Sequence, residues 1–265
     1  MIEMKLRKRI LFIILTSILL YSSANIGCYI YDFYSVTNQV KALEQLIEST
    51  DSELISVPTS MLEKQAETFI LPEFKDITKQ NDDFIGWLKI ENTPISYPVM
   101  YTPDDADFYL DHDFDKQNNK NGMPFLDYRC SIEEPTTNWI IYGHNMKNGS
   151  MFHSLLNYKD EAYYKEHPVI QFNTLNEKSE YEITSVFMSK VYQKEEDVFK
   201  YYEFIKADTQ TEFNQFIDNI NSLSLYNTDV KTTFGDQLIT LSTCDYTQEN
   251  GRMVIVARKR DAKYM

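Results

Sequence analysis

The residues that could do chemistry in this chain begin with one cysteine and one arginine near the C-terminus. Strand-forming residues 238–241 lead to Cys244 at the end of a predicted strand, and a second such run, 253–257, begins directly after Arg252. Two adjacent strands would place the thiol and the guanidinium side by side at one rim of a sheet. That pairing suits a nucleophile and a group that binds developing negative charge. The alternative is that Cys244 is a small buried residue and Arg252 a surface residue.

A cysteine nucleophile needs a base or a partner that stabilises its thiolate, and His144 is the histidine best placed for this role. It follows Gly143, directly after the predicted strand 138–142, so its imidazole also lies at a sheet rim. The other histidines lie in an acidic loop or near a predicted helical insertion: His112, His153 and His167. Two strand ends can converge on one rim although His144 and Cys244 are far apart in the sequence.

Other kinds of active site have little support in the sequence. Metal-binding spacings of the Cys-x-x-Cys or His-Glu-x-x-His type do not occur, nor does a Gly-x-Ser-x-Gly elbow or a phosphate-binding glycine loop. The acidic run 104–107 could attract calcium but lacks the rest of a calcium loop, and Asp-His-Asp at 111–113 is a weak signal by itself. We therefore expect no metal site.

The N-terminus is predicted to be a membrane anchor rather than part of the fold. A basic tail, residues 1–9, precedes residues 10–31, which carry no charge. As a helix, this run is long enough to cross a bilayer core of about 30 Å. The basic tail favours a cytoplasmic N-terminus, with the C-terminal bulk outside. Two alternatives are a signal-peptidase site at 22–24 and a lipoprotein-like site at Cys28, but the apolar run continues past both.

The charge and the cysteine content limit which partners and environments fit the exported part of the chain. The formal net charge of the chain is −14, and the part beyond the anchor is more acidic still because the basic tail precedes it. This excess of acid argues against nucleic acid as a partner and against adhesion of the folded domain to anionic lipid. Beyond the anchor, Cys130 and Cys244 allow one disulfide but no disulfide-rich scaffold. An unpaired thiol outside the membrane is exposed to oxidation, so its retention suggests a use.

Residues 32–80 carry a helical pattern. Apolar residues recur at spacings of four, three and four and predict an amphipathic helix: Val36, Val40, Leu43 and Ile47. The segment 57–60 breaks this pattern, and Ser60 with Glu63 forms a capping box for a second helix. The apolar positions of that helix are Leu62, Ala66, Phe69 and Ile70. The two helices would form a stalk or pack on the domain that follows.

From residue 84 onward the sequence predicts short strands with two helical insertions. The predicted strands are residues 85–90, 95–100, 124–126, 138–142, 169–172, 181–189, 237–243 and 253–258. The insertions cover 151–165 and 209–223. Many strands with few helices predict a mostly β fold, a closed or nearly closed barrel decorated by helices.

The same residues resemble a known family. Residues 240–244, Thr-Leu-Ser-Thr-Cys, match the Thr-Leu-x-Thr-Cys signature of sortases, Arg252 lies where sortases carry their arginine, and residues 142–144 lie where they carry their histidine. The resemblance is to class B sortases, through residues 84–90, 97–99, 121–129 and 151–152 and the helix before the cysteine strand. It covers about residues 81–260.

This resemblance implies an architecture and a location. The fold would be a closed sortase-type β-barrel with N-terminal helices and a helix inserted before the cysteine strand, preceded by one transmembrane helix. The expected divisions are a cytoplasmic basic tail, a transmembrane anchor, a helical stalk with N-terminal helices, and the catalytic barrel: 1–9, 10–31, 32–80 and 81–265. The chain would cross the cell membrane once, with its catalytic domain extracellular.

The resemblance also implies a cysteine transpeptidase that needs no cofactor. Cys244 would attack the carbonyl after the threonine of a C-terminal sorting pentapeptide in a surface protein and hold the acyl group as a thioester. An amine of a peptidoglycan cross-bridge or a pilin lysine would then resolve the thioester. His144 would move the protons and Arg252 would hold the carbonyl. The further residues expected to line the groove are Asn121, Ser242 and Thr243.

Two other functions stay open from the sequence. A cysteine endopeptidase with the same order of histidine and cysteine would hydrolyse rather than transfer, and a tyrosine-rich surface binding protein would use Cys244 only structurally. Residues 198–199 occupy a loop where related enzymes place substrate-contacting residues of other types, so the sorting motif stays open. Cys130 would be either a core residue or a redox partner of Cys244 that blocks activity.

Overall fold

The computed structural model of the chain describes residues 2–54 and 69–260 and contains a closed barrel of eight strands. In chain order the strands are β1 (Phe84–Lys89), β2 (Ser96–Met100), β3 (Phe125–Leu126), β4 (Asn138–Tyr142), β5 (Val169–Thr174), β6 (Glu180–Lys190), β7 (Leu238–Cys244) and β8 (Gly251–Lys259). Around the barrel they follow the order β1-β2-β3-β4-β7-β8-β6-β5. The predicted strands are present, and the closed barrel confirms the predicted mostly β fold.

Helices precede the barrel and interrupt it. Among the described residues the α-helices are α1 (Ile2–Leu54), α2 (Lys75–Gln80), α3 (Glu161–Glu166) and α4 (Gln210–Leu223). Short 3₁₀ segments lie at Pro72–Phe74, Phe108–Leu110, His153–Lys159 and Tyr201–Glu203. The predicted insertion at 151–165 is therefore a 3₁₀ segment followed by α3, and the insertion before the cysteine strand is α4.

Three neighbouring strands set the geometry of one rim of the barrel. β4 runs parallel to β7, and Tyr142 lies opposite Ser242 near their C-terminal ends. β8 runs antiparallel to β7, and Cys244 lies opposite Arg252. Because parallel neighbours need a long crossover connection, the chain between β4 and β7 has room for both helical insertions. The C-terminal ends of β4 and β7 and the N-terminal end of β8 meet at the same rim.

β7 is buried along almost its whole length because both of its faces are covered. Ile239 and Leu241 belong to the core inside the barrel, whereas Leu238 belongs to a second apolar cluster outside it. The side of α4 that covers this outer face has four buried residues: Phe213, Phe216, Ile217 and Ile220. Burying an apolar side chain of this size contributes roughly 1.5–3 kcal/mol, so this cluster stabilises the outer side of the barrel, where α4 packs mainly on β6.

A capping box fixes the start of α4. The Thr209 side chain accepts a hydrogen bond from the backbone N–H of Glu212, and the Glu212 carboxylate accepts one from the backbone N–H of Thr209. A cap of this kind stabilises a helix by about 1 kcal/mol. The helix therefore begins where the threonine stands, as its sequence position predicts.

α1 is one continuous helix through the predicted tail, anchor and first N-terminal helix. Its segment Arg7–Thr50 is long and apolar enough to cross a membrane, by length and composition, and no residue of its most apolar window is buried. Further along, the predicted stripe meets the barrel: Val36, Val40 and Leu43 are buried and Ile47 is partly buried against the core. A single membrane-crossing helix that packs on the folded domain fits a single-pass membrane protein.

The predicted second helix falls largely on residues 55–68, outside the described residues. Its break at 57–60 and its capping box lie there too. At its predicted end, Phe69 and Ile70 are not helical, so the prediction is wrong for these two residues. The backbone N–H of Leu71 instead donates to the Leu175 carbonyl at 2.6 Å, and Pro72 disfavours a helical conformation in the residue before it.

Candidate active site

The three residues predicted to be catalytic lie in a row across three strand ends. The parallel pair of β4 and β7 ends with Tyr142 opposite Ser242, and each chain continues for two residues, to His144 and to Cys244. Arg252 lies opposite Cys244 on the other side, in β8. Neighbouring strands are about 4.8 Å apart, so the position of Cys244 lies between those of His144 and Arg252, and all three line one groove.

These residues line a groove of about 430 Å³ at the rim of the barrel. Its walls are rich in aromatic and aliphatic side chains: Leu110, Phe125, Tyr128, Tyr142, Val191, Tyr201 and Tyr202. Cys244 and His144 are both half-buried, which leaves them accessible to a substrate while limiting their exposure to water. A groove with apolar walls and a few polar groups at one end is suited to bind an extended peptide.

The backbone carbonyl of Leu110 sets the protonation of the His144 ring. It lies 2.7 Å from Nε2 of His144. A carbonyl oxygen can only accept a hydrogen bond, so Nε2 carries a proton. In the neutral ring Nδ1 is therefore the nitrogen that carries the lone pair.

A pair of side chains holds the backbone of Cys244. The Nδ2 amide of Asn145, the residue after the histidine, donates to the Cys244 carbonyl at 2.8 Å. The Oδ1 atom of Asn145 lies 2.7 Å from Nδ1 of His153, so that nitrogen donates to the amide oxygen. One buried asparagine thus ties the loop that follows β4 and carries His144, called the histidine loop below, to the carbonyl of the cysteine.

The acid next to the cysteine is engaged elsewhere. The Asp245 side chain is 1% exposed, and the Lys159 ammonium lies 2.8 Å from its carboxylate. Burial opposes the ionisation of Asp245, but hydrogen bonds from Lys159 and Thr247 outweigh it and hold its pKa below the usual range. Asp245 is therefore an anion that anchors the end of β7 to the 3₁₀ segment ending at Lys159.

Arg252 lines the groove and has no carboxylate partner among the described residues. Its Nη1 donates to the Gly251 carbonyl at 2.9 Å. By contrast, Arg129 forms two hydrogen bonds to Asp127, at 2.9 and 2.6 Å. Burial opposes ionisation of Asp127, yet the bonds from Arg129 hold the pKa of its carboxyl below the usual range. The charge of Arg252 is thus available to a substrate oxygen, and that of Arg129 is already neutralised.

The hydroxyl groups beside Cys244 serve the scaffold. Ser242 is buried, and its Oγ lies 2.7 Å from the hydroxyl of Tyr201. Burial raises the pKa of Tyr201 to about 12, so this phenol stays neutral. The Thr243 hydroxyl donates to the Gly143 carbonyl at 2.7 Å and ties β7 to the histidine loop. Both residues line the groove, as expected, with their hydroxyls engaged in protein contacts.

Asn121 lies apart from this groove. It lines a smaller cavity of about 170 Å³ between α1 and the barrel, together with residues such as Val36 and Tyr97. Its side chain is buried, and its Nδ2 donates to Asn119 at 2.8 Å. The structure therefore brings five of the six predicted site residues together and places Asn121 behind them.

Cys130 is a core residue and not a redox partner of Cys244 in this fold. Its buried Sγ lies 3.4 Å from the carbonyl of Asn138, at the opposite end of β4 from the histidine. Asn138 pairs with Leu238, six residues before the cysteine, so the two thiols lie roughly 20 Å apart along the strands. A disulfide needs Cα atoms within about 7 Å. Burial raises the pKa of the Cys130 thiol to about 11.

Sequence reasoning missed three residues of this site. Leu110 acts through its backbone carbonyl, which leaves no mark on residue type. Lys159 acts through Asp245, and Asn145 acts through the carbonyl of Cys244. The sequence offered one signal for each: Asn145 follows the histidine, and the acid next to the cysteine needs a cation if it is buried.

Comparison with known proteins identifies the family of this barrel. A family model described as the sortase domain matches residues 88–260. Sortase B of Listeria monocytogenes serovar 1/2a is 38% identical over 185 residues, which cover 69% of this chain and 72% of that protein. Sortase B of Staphylococcus aureus is 29% identical over 220 residues, which cover 82% of this chain and 86% of that protein.

Among solved structures, a Staphylococcus aureus sortase B–substrate complex has the same fold. It superposes with a TM-score of 0.73 at 24% identity, over 88% of this chain and 99% of that one. The family model spans most of the barrel, including the histidine, cysteine and arginine at its rim. The chain belongs to the sortase family of cysteine transpeptidases and, within it, to class B.

Proposed function

We propose that this sortase carries a peptide as a thioester on Cys244 and transfers it to an amine at the cell surface. The observation that supports this most strongly is the row of thiol, imidazole and guanidinium on three neighbouring strand ends. The thiol is accessible, the imidazole has one nitrogen free to exchange a proton, and the guanidinium has no carboxylate partner among the described residues.

In the first half-reaction the Cys244 thiolate attacks the carbonyl carbon after the threonine of a sorting pentapeptide. A carbon–sulfur bond forms, and the carbonyl π electrons move onto oxygen. When the carbonyl re-forms, the carbon–nitrogen bond breaks, and the imidazolium of His144 gives its Nδ1 proton to the leaving amine. The products are a thioester on Cys244, a free C-terminal peptide and neutral His144.

In the second half-reaction an amine attacks the thioester carbonyl. Neutral His144 takes a proton from the attacking nitrogen at Nδ1, and the carbon–sulfur bond breaks to return the Cys244 thiolate. The new amide joins the surface protein to the acceptor. Water in place of the amine gives hydrolysis.

Arg252 stabilises the oxygen that becomes negative in both tetrahedral intermediates. Its charge is fixed next to the cysteine by the register of β7 and β8. A well-placed donor to an oxyanion contributes about 2.7–4 kcal/mol to the transition state. The backbone contact of its Nη1 with Gly251 holds the guanidinium at the rim.

The substrates proposed are surface proteins with a C-terminal sorting signal, and the amine comes from a peptidoglycan cross-bridge or a pilin lysine. The aromatic and aliphatic walls of the groove support an extended peptide as the ligand. One of the related structures is described as a sortase B–substrate complex. We also propose that the basic tail lies in the cytoplasm, so that α1 places the barrel outside the cell.

The test uses the full chain in lipid nanodiscs, a library of sorting pentapeptides and triglycine as the acceptor. We expect a mass increase on Cys244 that equals the N-terminal half of the peptide, and transfer of that half to triglycine.

Cys244→Ala should remain folded and lose cleavage, and His144→Ala should lose nearly all cleavage. Normal turnover by Cys244→Ala would overturn the proposal. Cleavage with no transfer at any triglycine concentration would instead identify an endopeptidase, and peptide binding without cleavage a binding protein.

A further inference from the structure

The loop between β2 and β3 holds the carbonyl on which His144 depends. This loop, residues 101–124, carries Leu110, whose carbonyl accepts from Nε2 of His144 at 2.7 Å. The loop's β-type pairing is a single bridge within it, between His112 and Asn118, so its position against the rest of the domain depends on side-chain and turn contacts. The structure supplies these contacts from α1 and from the residues just before β1, where the Asn81 amide donates to the Tyr109 hydroxyl and to the Phe114 carbonyl.

Asn119 is the centre of these contacts. Its side chain is buried, and its Oδ1 accepts from the backbone N–H of Asn121 at 3.1 Å and from the Asn121 side chain at 2.8 Å. Its Nδ2 donates to the carbonyl of Asp32 in α1 at 3.1 Å. Three of the four hydrogen bonds open to this side chain thus join a turn of the loop to a turn of the helix.

The backbone of Asn119 reaches the residue next to Leu110. Its N–H donates to the Asp111 carbonyl at 2.8 Å, and its carbonyl accepts from Gly122 at 2.9 Å. Gly122 adopts a left-handed φ of +56° and lies so close that a Cβ atom there would be 2.6 Å from the Leu110 oxygen. The Leu110 carbonyl is therefore confined between the Asn119 turn on one side and His144 on the other.

The helix end of this connection lies beside the membrane-crossing segment. Asp32 is the first charged residue after the uncharged run 10–31 of α1. A second contact lies two turns further along, where Gln39 donates to the Asp115 carboxylate at 2.6 Å and accepts from the backbone N–H of Phe114 at 3.1 Å. The loop is thus attached to α1 at two points within about 11 Å of helix.

We propose that Asn119 is a positioning residue through which the membrane-proximal turns of α1 fix the Leu110 carbonyl and, with it, the ring of His144. The inference rests on the proposed function of His144 in proton transfer. A displacement of about 1 Å at a reacting group can lower a rate by two orders of magnitude, so a contact far from the substrate can control the chemical step. Asn119 itself touches neither the substrate nor the reacting atoms.

Asn119→Asp separates the two halves of this contact. The carboxylate keeps an acceptor for Asn121 but loses the donor to the Asp32 carbonyl. One of its oxygens then faces the Asp32 carbonyl oxygen, and the two repel each other. Asn138→Asp is a matched control: Asn138 is equally buried, its Nδ2 donates to the Phe204 carbonyl at 2.9 Å, and its Oδ1 accepts from Thr240 at 2.9 Å. It lies at the end of β4 that is remote from the groove.

The measurements are kcat and KM for cleavage of a sorting peptide by the full chain in nanodiscs, with the ring N–H resonances of ¹⁵N-labelled histidine. Asn119→Asp should lower kcat about tenfold, leave KM unchanged and shift the Nε2–H resonance of His144. Asn138→Asp should leave kcat within twofold and the resonance in place. An unchanged kcat in folded Asn119→Asp would overturn the proposal, as would a rise in KM alone.

A second variant covers the case in which Asn119→Asp does not fold. Gln39→Leu removes the other contact at the partly exposed surface of α1 and should lower kcat about threefold with the same shift of the His144 resonance. Wild-type kcat and resonance in Gln39→Leu would then overturn the proposal. If the wild-type chain forms no acyl-enzyme, the proposed function fails first, and the histidine resonance alone still tests the positioning role.

Discussion

The ammonium of Lys159 lies 2.8 Å from the carboxylate of Asp245, directly behind the residue that carries the thiol. The lysine belongs to the helical insertion after β4, and the aspartate follows the last residue of β7. The pair thus links two segments that are distant in sequence at the point where the cysteine leaves its strand. Since the carboxylate is 1% exposed, it depends on this cation for its ionised state.

Lys159→Met should destabilise the domain by about 1–3 kcal/mol, because it leaves a buried carboxylate with only its hydrogen bonds from Thr247. The lysine is about one-third exposed, so water replaces part of the interaction and keeps the loss below that of a fully buried pair. Urea denaturation at pH 7 measures it. Lys165→Met is the matched control, because its pair with Glu161 is exposed, and it should cost less than 0.5 kcal/mol.

The difference between wild type and Lys159→Met should depend on pH in one direction. The pKa of Asp245 in the folded wild type lies below its ordinary value of 3.8, so the stability it contributes is present above that value. That contribution is lost as the pH falls through the lowered pKa. We expect a constant difference from pH 8 to pH 5 and a shrinking one below about pH 4, where protonation relieves the unpaired carboxylate of the variant. A difference that grows in acid would contradict this assignment.

Arg252→Lys should lower kcat/KM about 100-fold although it keeps the charge. Lysine presents one compact ammonium, whereas the guanidinium can hold a carbonyl oxygen while it also contacts the Gly251 carbonyl. Arg258→Lys, at the other end of β8, is the control: that arginine pairs with Glu182 away from the groove, and its variant should keep kcat/KM within twofold. Equal losses in the two variants would mean that the effect comes from the strand and not from the oxyanion.

Asn145→Ala should lower kcat about tenfold and destabilise the fold by about 1–2 kcal/mol. The change frees the Cys244 carbonyl and leaves Nδ1 of His153 without its acceptor, so the strand end and the histidine loop are no longer joined. Asn148 in the same loop is exposed, and within the described part of the chain its side chain bonds to Ser150 alone, so Asn148→Ala controls for general loosening. Steady-state kinetics and thermal unfolding of both variants separate the two effects.

The sequence was sufficient to predict the residues whose position follows from a strand. A run of strand-forming residues that leads to a cysteine, and another that follows an arginine, predict strand ends, and the closure of the barrel brings His144 beside them. The contacts of Leu110 and Lys159 could not be predicted in this way, because they join segments 34 and 86 residues apart through loops of no regular period. Asn121 shows the opposite error: its motif resembles a family segment, but the loop turns its side chain towards α1.

Cys244 should react with a thiol reagent in the native protein, and Cys130 only after unfolding. Cys244 is half-buried at the groove, whereas Cys130 is 2% exposed and its pKa is raised to about 11 by burial, which leaves almost no thiolate at pH 8. A charged, membrane-impermeant reagent on the chain in nanodiscs also spares Cys28, which lies within the uncharged run of α1. Mass spectrometry should find one label on native wild type, none on Cys244→Ala and one on Cys130→Ala. A native label on Cys130, or a disulfide between the two residues without unfolding, would contradict the separation of the two thiols along β4 and β7.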